Sequence, residues 1–474
     1  MSLFSKRDRP LFVLAIVLLV VVAYFVSRPA PPPVPATPAP APPRPALSML
    51  ALPPDWRALE IYQNTITREE FEWLLTTVFT TGNAWQTCIA IDATEARIQT
   101  GNSPADEIFH LRFAPAESAA PRHWRSAKEL PPTSPEKPLA DLKIAIDPGH
   151  IGGEWAKLEE RWFVVGSGTP VQEGDMTLLV ANLLKPRLEA LGATVSLVRD
   201  KTEPVTSIRP DALLSLAQES SAGSPQKLAE RLFYRTAEIR ARADLVNQSL
   251  KPDLVLCLHF NAEAWGDPNQ PILIDRSHLH LLLNGAYTDE EVLLTDQRFA
   301  LLQKLLQRTH EEEAHVGATV AETFAEISGL PAYAYPPESK NVRPVAGQPY
   351  LWVRNLLANR LYDCPVIFME PYVMNSTTDH ARIQAGDYDG LREISGKHRR
   401  RGFRRHRLAE ILHRPAPAET RRGVAGEQPR PAGGGVERRA VPRAIRDFAQ
   451  RAVSDGQRLR LGPAQAGARQ SQLQ

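Results

Sequence analysis

The sequence is poor in cysteine and almost neutral in charge, and each of these features excludes a class of protein. It has 3 cysteines among 474 residues, and no two of them form a Cys-x-x-Cys pair. A zinc cage built from thiolates is therefore not expected. The formal net charge is only +2, whereas a dedicated nucleic-acid-binding protein usually carries a concentrated basic surface. We expect no nucleic-acid partner.

The overall composition is that of an ordinary folded protein. Hydrophobic residues make up 43% and charged residues 23% of the chain, so a core of normal size can form. The length allows about two or three domains.

An uninterrupted apolar run extends from Leu11 to Val26, directly after several positively charged residues. It lies at the short end of what spans a bilayer, roughly 17 residues, and the preceding positive charges favour a cytoplasmic N-terminus. A small-x-small cleavage site does not follow Val26. We predict a cytoplasmic N-terminus at residues 1–10 and an uncleaved transmembrane signal anchor at 11–27. A cleaved signal peptide is the alternative, and both export the rest of the chain.

Four further segments are distinguished by composition. Residues 28–50 are rich in Pro and Ala, which favours an extended linker. Residues 51–135 carry a helix start at Thr67 and two short strands, which predicts a small α+β domain of unknown role. Residues 396–441 are rich in Arg, Pro and Gly and read as a disordered insertion. An amphipathic pattern returns in 442–474, where we predict a C-terminal helix and tail.

Residues 140–395 alternate strands with long helices. We predict strands at 142–147, 194–198, 254–258 and 365–369, and helices at 176–191, 227–249 and 294–314. This order is typical of an α/β domain with a mostly parallel sheet and helices on both faces. Sites in such sheets gather at the carboxyl ends of the strands.

Polar residues stand at these strand ends. His150 follows the first strand in IAIDPGHIGG, and His259 ends a buried strand in CLHFNA. Glu173 begins a helix in VQEGD, and Glu370 ends the last strand in FMEPYVMNS. Two histidines and a carboxylate from separate segments match the His2Glu set of a catalytic zinc, which leaves a fourth position for water. A second carboxylate at that edge suits a general acid–base group.

The order of motifs resembles the zinc N-acetylmuramoyl-L-alanine amidases of the amidase-3 family. It runs DPGH, E-x-D at a helix start, LEALGATVSLVRD, R-x-x-x-x-x-x-N, LHFNA and MEPYVMN, from about Leu142 to Asn375. The resemblance implies His150, Glu173 and His259 as ligands of Zn²⁺ and Glu370 as the catalytic carboxylate. It implies cleavage between N-acetylmuramic acid and L-alanine of peptidoglycan.

The resemblance also suggests supporting residues and a cellular setting. Arg240 and Asn247 stand where the family has its helix Arg and Asn, and with Asn261 they are candidates for substrate or supporting contacts. We expect a single-pass protein of the bacterial inner membrane, with the catalytic domain on the periplasmic or extracytoplasmic side, and an activator protein of unknown identity as a further candidate partner.

The sequence departs from the family pattern in two places. Ile151 stands before Gly152-Gly153, where the family has the two glycines directly after the first histidine, and residues 262–345 are longer than expected. Both regions would line the substrate groove. Two alternatives stay open: a zinc peptidase of related α/β fold, which would use more carboxylates and often two metals, and a non-catalytic peptidoglycan-binding protein.

Overall fold

The computed structural model describes residues 47–102, 106–220 and 223–385. The predicted cytoplasmic segment, signal anchor, most of the linker, the Arg-rich insertion and the C-terminal helix lie outside these residues. In the part of the chain that is described, no helix has both the length and the apolar character required to cross a bilayer.

Short strands and helices alternate along the described chain. The strands are β1 (Ile89–Ile91), β2 (Glu95–Gln99), β3 (Ile108–Arg112), β4 (Lys143–Pro148), β5 (Trp162–Phe163), β6 (Val171–Gln172), β7 (Thr194–Leu197), β8 (Leu254–Leu258), β9 (Leu279–Leu283), β10 (Val342–Pro344), β11 (Leu351–Arg354) and β12 (Val366–Pro371). The helices are α1 (Arg68–Trp73), α2 (Trp155–Leu158), α3 (Glu173–Ala190), α4 (Leu214–Glu219), α5 (Pro225–Arg231), α6 (Glu238–Asp244), α7 (Asp289–Val292), α8 (Thr295–Gln307), α9 (Thr309–Ser328), α10 (Leu357–Leu361) and α11 (Thr377–Ala385).

Seven of the described strands form the main sheet, in the order β10-β11-β9-β12-β8-β4-β7. Four neighbouring pairs are parallel: β12 with β8, β8 with β4, β4 with β7, and β11 with β9. β9 runs antiparallel to β12, and β10 antiparallel to β11. The predicted α/β architecture is confirmed, and the sheet is a mixed one. Its antiparallel part comes from the long region between the second histidine and Glu370.

Helices cover both faces of this sheet, as predicted. Ile144, Leu256 and Ile367 share one core with α3 and α9, while Cys257 and Phe368 face the opposite core with α6 and α10. Strands buried on both faces read as continuous apolar runs, and β8 is buried at every position of its sequence LVLCL.

The elements of the predicted 51–135 unit pack against the main sheet's helices. β1, β2 and β3 form an antiparallel sheet, and Phe71 of α1 lies in the same core as Leu305 of α8. Arg308, between α8 and α9, donates from Nε to Oε1 of Glu70 over 2.6 Å in buried surroundings. The boundaries and role of this unit stay predictions.

Candidate metal centre

The strand register brings the predicted site residues to one edge of the sheet. Pro148 of β4 is level with Leu258 of β8, and Leu258 is level with Met369 of β12. His150 follows β4 by two residues, while His259 and Glu370 each come one residue after a member of this row. Neighbouring parallel strands therefore deliver all three side chains to the same edge.

His150, Glu173 and His259 form a compact cluster. One ligand atom from each can be chosen so that all three lie within 4.8 Å of one another. Oε2 of Glu173 is 3.2 Å from Nε2 of His150, and its Oε1 is 3.2 Å from Nδ1 of His259. The two imidazole rings meet edge to face, with centroids 4.9 Å apart. Glu173 is 1% exposed, so its charge is held away from water.

The donor atoms of this cluster suit a zinc ion. Among the described residues, Oε2 of Glu173 is buried and accepts no hydrogen bond. Its contacts are ion-pair contacts, at 3.2 Å to Nε2 of His150 and 3.7 Å to Nε of Arg161. A buried carboxylate oxygen that accepts no hydrogen bond is costly unless a cation completes its surroundings. The set of two imidazoles and a carboxylate is that of catalytic zinc sites. His150, Glu173 and His259 are thus the residues that could hold the ion.

Glu159 orients His150 and was not anticipated from the sequence. Its Oε1 lies 2.9 Å from Nδ1 of His150, and its Oε2 accepts from the Ile151 amide at 2.7 Å. The carboxylate places the imidazole proton on Nδ1, which leaves the Nε2 lone pair toward Glu173. Glu159 sits in the stretch after the first histidine, where no family motif marks it.

Burial and neighbouring charges shift the pKa values of His150, Glu159 and Glu173 in different directions. Burial lowers the pKa of His150 well below its usual value, so the imidazole is neutral and able to bind a metal. Burial raises the pKa of Glu159 to about 7. Burial also acts to raise the pKa of Glu173, but His150, His259 and Arg161 outweigh it and hold that pKa at about 2. The carboxylate between the histidines is therefore ionised.

His259 is fixed by packing against two residues. Its ring stacks on Phe368 of β12 with centroids 4.1 Å apart. Gly149 also lies against the ring, and an added Cβ there would be 2.3 Å from Cε1 of His259. The glycine in DPGH is therefore required because any side chain there would collide with the second histidine.

Two buried arginines hold the DPGH loop. Arg242 donates to Oδ1 of Asp147 at 2.8 Å and to the carbonyl of His150 at 2.7 Å. Arg199 donates to the Pro148 and Gly149 carbonyls of the loop, each at 3.4 Å, and to the Gly174 carbonyl of α3 at 2.8 Å. These contacts retain His150 in a left-handed conformation, φ 62°, which non-glycine residues seldom adopt. Glu238 also pairs with Arg242. These two charged residues lie one helical turn apart on an otherwise apolar face, and this pattern is the sequence signal that could have identified Arg242.

Glu370 lies beside the cluster on the neighbouring strand. It is two residues after Phe368, so the two side chains project from the same face of β12. The His259 ring lies on that face, stacked on Phe368. Burial raises the pKa of Glu370 to about 7, against the lowering effect of His259. A carboxyl group that titrates near neutral pH can both accept and donate a proton.

The other three residues, predicted as substrate or supporting contacts, have partners outside the group of His150, Glu173 and His259. Arg240 faces Asp296, with Nη2 3.8 Å from its Oδ2. Asn247 donates to the Leu361 carbonyl and accepts from the Asp363 amide, both at 2.8 Å. Asn261 lies past His259, with Nδ2 3.5 Å from Nδ1 of His278. On this helix, Arg242 contacts the loop of the first histidine, whereas Arg240 pairs with Asp296.

One curated relative agrees with the resemblance predicted from the motifs. The chain is 30% identical over 124 residues to the protein named "Probable cell wall amidase LytH" of Staphylococcus saprophyticus. The match covers 25% of this chain and 40% of the relative, so the chain spans two fifths of the length of that relative. No protein-family model matches the sequence.

Several solved structures also match. The amidase CwlD of Clostridioides difficile, solved with the GerS lipoprotein, is 11% identical and has a TM-score of 0.29, with 58% of this chain and 95% of that chain covered. The N-acetylmuramyl-L-alanine amidase Ami1 of Mycobacterium abscessus is 16% identical with a TM-score of 0.29, covering 58% of this chain and 96% of its own.

Proposed function

We propose that the chain is a zinc-dependent N-acetylmuramoyl-L-alanine amidase that hydrolyses the bond between N-acetylmuramic acid and L-alanine in peptidoglycan. The observation that carries this proposal is the cluster of His150, Glu173 and His259 with Glu370 on the next strand. The curated relative named as a cell wall amidase supports the choice of substrate.

The ligand residues have a defined part in this proposal. Zinc bound by His150, Glu173 and His259 would supply a Lewis acid for the scissile carbonyl and for water. His150 is kept neutral by burial and is oriented by Glu159. His259 is kept in place by Phe368 and Gly149. The chain therefore prepares the site before any substrate arrives, which lowers the cost of reaching the transition state.

Glu370 is the proposed general base and general acid. Its pKa of about 7 allows it to take a proton from the attacking water. The protonated carboxyl group then gives the proton to the nitrogen of L-alanine as the C–N bond breaks. The products are a glycan with a free lactyl carboxylate and a peptide with a free amine.

The two alternative functions differ in metal content. Among the described residues, the group of three or more His, Cys, Asp and Glu side chains close enough to hold a metal is that of His150, Glu173 and His259. This favours a single-metal site over the two-metal sites common in zinc peptidases. A binding protein without activity would have no need for a buried Glu173 oxygen that accepts no hydrogen bond or for a carboxyl group such as that of Glu370, which titrates near neutral pH.

Digestion of purified sacculi tests the activity. We expect mass analysis to find free stem peptides that begin with L-alanine, together with glycan strands that have lost their peptides. Zinc analysis should give one ion per chain. Release of fragments cut within the peptide, with two ions per chain, would replace the amidase by a peptidase. Intact sacculi with no bound zinc would favour a binding protein.

We also propose that residues 11–27 anchor the chain in the bacterial membrane, with the catalytic domain outside the cytoplasm. The apolar run and the preceding positive charges support this orientation. The full chain should be recovered in the membrane fraction, and deletion of residues 1–28 should remove it from that fraction. A mature N-terminus near residue 28 would show a cleaved signal peptide instead.

A further inference from the structure

A second group of ring-bearing side chains lies on the other side of Glu370 from the metal cluster. In the antiparallel pair of β9 and β12, His280 is directly opposite Glu370, and Leu282 is opposite Phe368. Opposed residues project from the same face of a sheet, with Cβ atoms about 5 Å apart. Because the strand order is β9-β12-β8, Glu370 stands between His259 and His280.

His280 belongs to an aromatic cluster that reaches from the sheet to the surface. The hydroxyl of Tyr335 lies 3.1 Å from Nε2 of His280. The ring of Tyr333 has its centroid 5.0 Å from that of His280, and Tyr335 meets Trp352 edge to face at 5.0 Å. His280 is 3% exposed, whereas Tyr333 and Tyr335 are only partly buried. Most of the cluster comes from the long region after the second histidine.

One polar atom of the cluster has no partner. Among the described residues, Nδ1 of His280 is buried and makes no hydrogen bond. The other ring nitrogen, Nε2, already has a partner in the hydroxyl of Tyr335. Nδ1 is therefore the nitrogen of His280 that is left to form a hydrogen bond with a ligand.

The direction of the proposed reaction indicates which part of the substrate lies here. A general acid must be within hydrogen-bond reach of the leaving nitrogen, so that nitrogen sits at Glu370. The metal ligands occupy the β8 side of Glu370, and His280 occupies the β9 side. The peptide attached to the leaving nitrogen then extends over β9, and the part-exposed Tyr333 is the ring that it would meet.

We propose that His280 and Tyr335, with the ring of Tyr333, form a subsite for the stem peptide, where Nδ1 of His280 forms a hydrogen bond with a polar group of the peptide beyond L-alanine. This inference rests on the proposed amidase function. Sites of this kind combine aromatic walls with a small number of placed polar groups. A site built to hydrogen-bond a substrate discriminates strongly against substrates that lack the partner group.

Substrates of increasing peptide length test the subsite. The wild-type protein, His280→Phe and Tyr335→Phe are compared on muramoyl-L-alanine and on muramoyl peptides of two to four residues. We expect each variant to lose about 10- to 100-fold in kcat/KM on the longer peptides, and less than about threefold on muramoyl-L-alanine. Tyr287→Phe is the matched control, because it also removes a buried tyrosine hydroxyl, one that donates to Asn284 at 3.4 Å and is no part of the proposed subsite. It should leave every value unchanged.

Binding provides a second readout that does not depend on turnover. Calorimetry with the free stem tripeptide should show weaker binding to His280→Phe than to the wild type, with zinc content and melting temperature unchanged. An equal loss on all substrate lengths, or a loss that follows glycan length, would overturn the peptide subsite while leaving the amidase function intact. If the wild-type protein cleaves none of these substrates, the amidase function fails, and tripeptide binding alone decides whether the subsite exists.

Discussion

Oε1 of Glu159 lies 2.9 Å from Nδ1 of His150, and this contact determines which nitrogen of the imidazole faces Glu173. Both oxygens of Glu159 are in use, since the other accepts from the Ile151 amide. A carboxylate in this position orients the ligand and increases its basicity. The stretch after the first histidine thus supplies a supporting residue, although it departs from the family pattern.

Glu159→Gln should weaken zinc binding by about 10- to 100-fold. The amide has one acceptor oxygen in place of two, so either His150 or the Ile151 amide loses its partner. Competition with a chelator measures the affinity. Glu154→Gln is the control, since Glu154 is exposed near the start of the same short helix. Equal zinc affinity in the two variants would remove the orienting role of Glu159.

Arg242→Met should lower the free energy of unfolding by about 3–5 kcal/mol, because it leaves the buried Asp147 and Glu238 carboxylates without their cation. Arg240→Met removes the same charge from the same helix. Arg240, however, makes a longer ion pair, with Nη2 3.8 Å from Oδ2 of Asp296. We expect its loss to stay below about 1 kcal/mol. Urea unfolding measures the free energy of unfolding of both variants. Equal losses of stability would contradict the role of Arg242 in holding the DPGH loop.

The local signals of the sequence singled out His150, Glu173 and His259, which the structure brings together, because these residues directly follow strands. DPGH and LHFNA each combine an apolar run with a polar end, and parallel strands bring such ends together. Glu159 and Arg242 could not be identified in the same way. Their partners are brought together by tertiary folding, and Arg242 is 95 residues from Asp147 in the chain.

The predicted helix over 294–314 shows a second limit of local patterns. The structure has two helices there, α8 and α9, separated at Arg308 with φ 54°. Arg308 turns away to bind Glu70, 238 residues earlier, and no helical period can reveal such a contact. The strands β9, β10 and β11 were also not predicted, because short apolar runs do not distinguish strand from helix.

Gly149→Ala should reduce zinc affinity by at least about tenfold. The new Cβ would lie 2.3 Å from Cε1 and 2.4 Å from Nε2 of His259, so the ring must leave its stacked position on Phe368. Gly317→Ala in α9 is the control, since its Cβ would lie 3.4 Å from Cδ2 of Leu283, an ordinary van der Waals distance. It should keep zinc and gain up to about 1 kcal/mol in stability. Full zinc affinity in Gly149→Ala would contradict the packing argument.

His310 should make the protein less stable in mild acid. Burial lowers its pKa to about 4 in the folded chain, against about 6.5 in the unfolded chain. Between these values the unfolded state binds more protons, so the free energy of unfolding falls as the pH drops, by about 3 kcal/mol at most. His310→Leu should show a smaller fall than the wild type between about pH 7 and about pH 4.5. Parallel urea titrations measure this difference, and identical pH dependence would refute the assignment.

Glu370→Gln separates catalysis from structure at the centre of the proposed mechanism. The variant should keep its zinc, because His150, Glu173 and His259 are unchanged. It should also keep its fold, since Gln has nearly the volume of Glu and can still form hydrogen bonds. An amide cannot take a proton from the attacking water, so turnover should fall by at least about 10²–10⁴-fold.

Substrate binding should change far less than turnover, because Glu370 acts mainly in the transition state. Zinc content, melting temperature and product release are measured on one preparation, with Glu338→Gln as an exposed control. If Glu370 served only to pair with a nearby cation such as Arg354 or Arg161, whose charges lower its pKa, the variant would lose thermal stability. It would then retain most of its activity per folded molecule, and the assignment of Glu370 as general base would have to be abandoned.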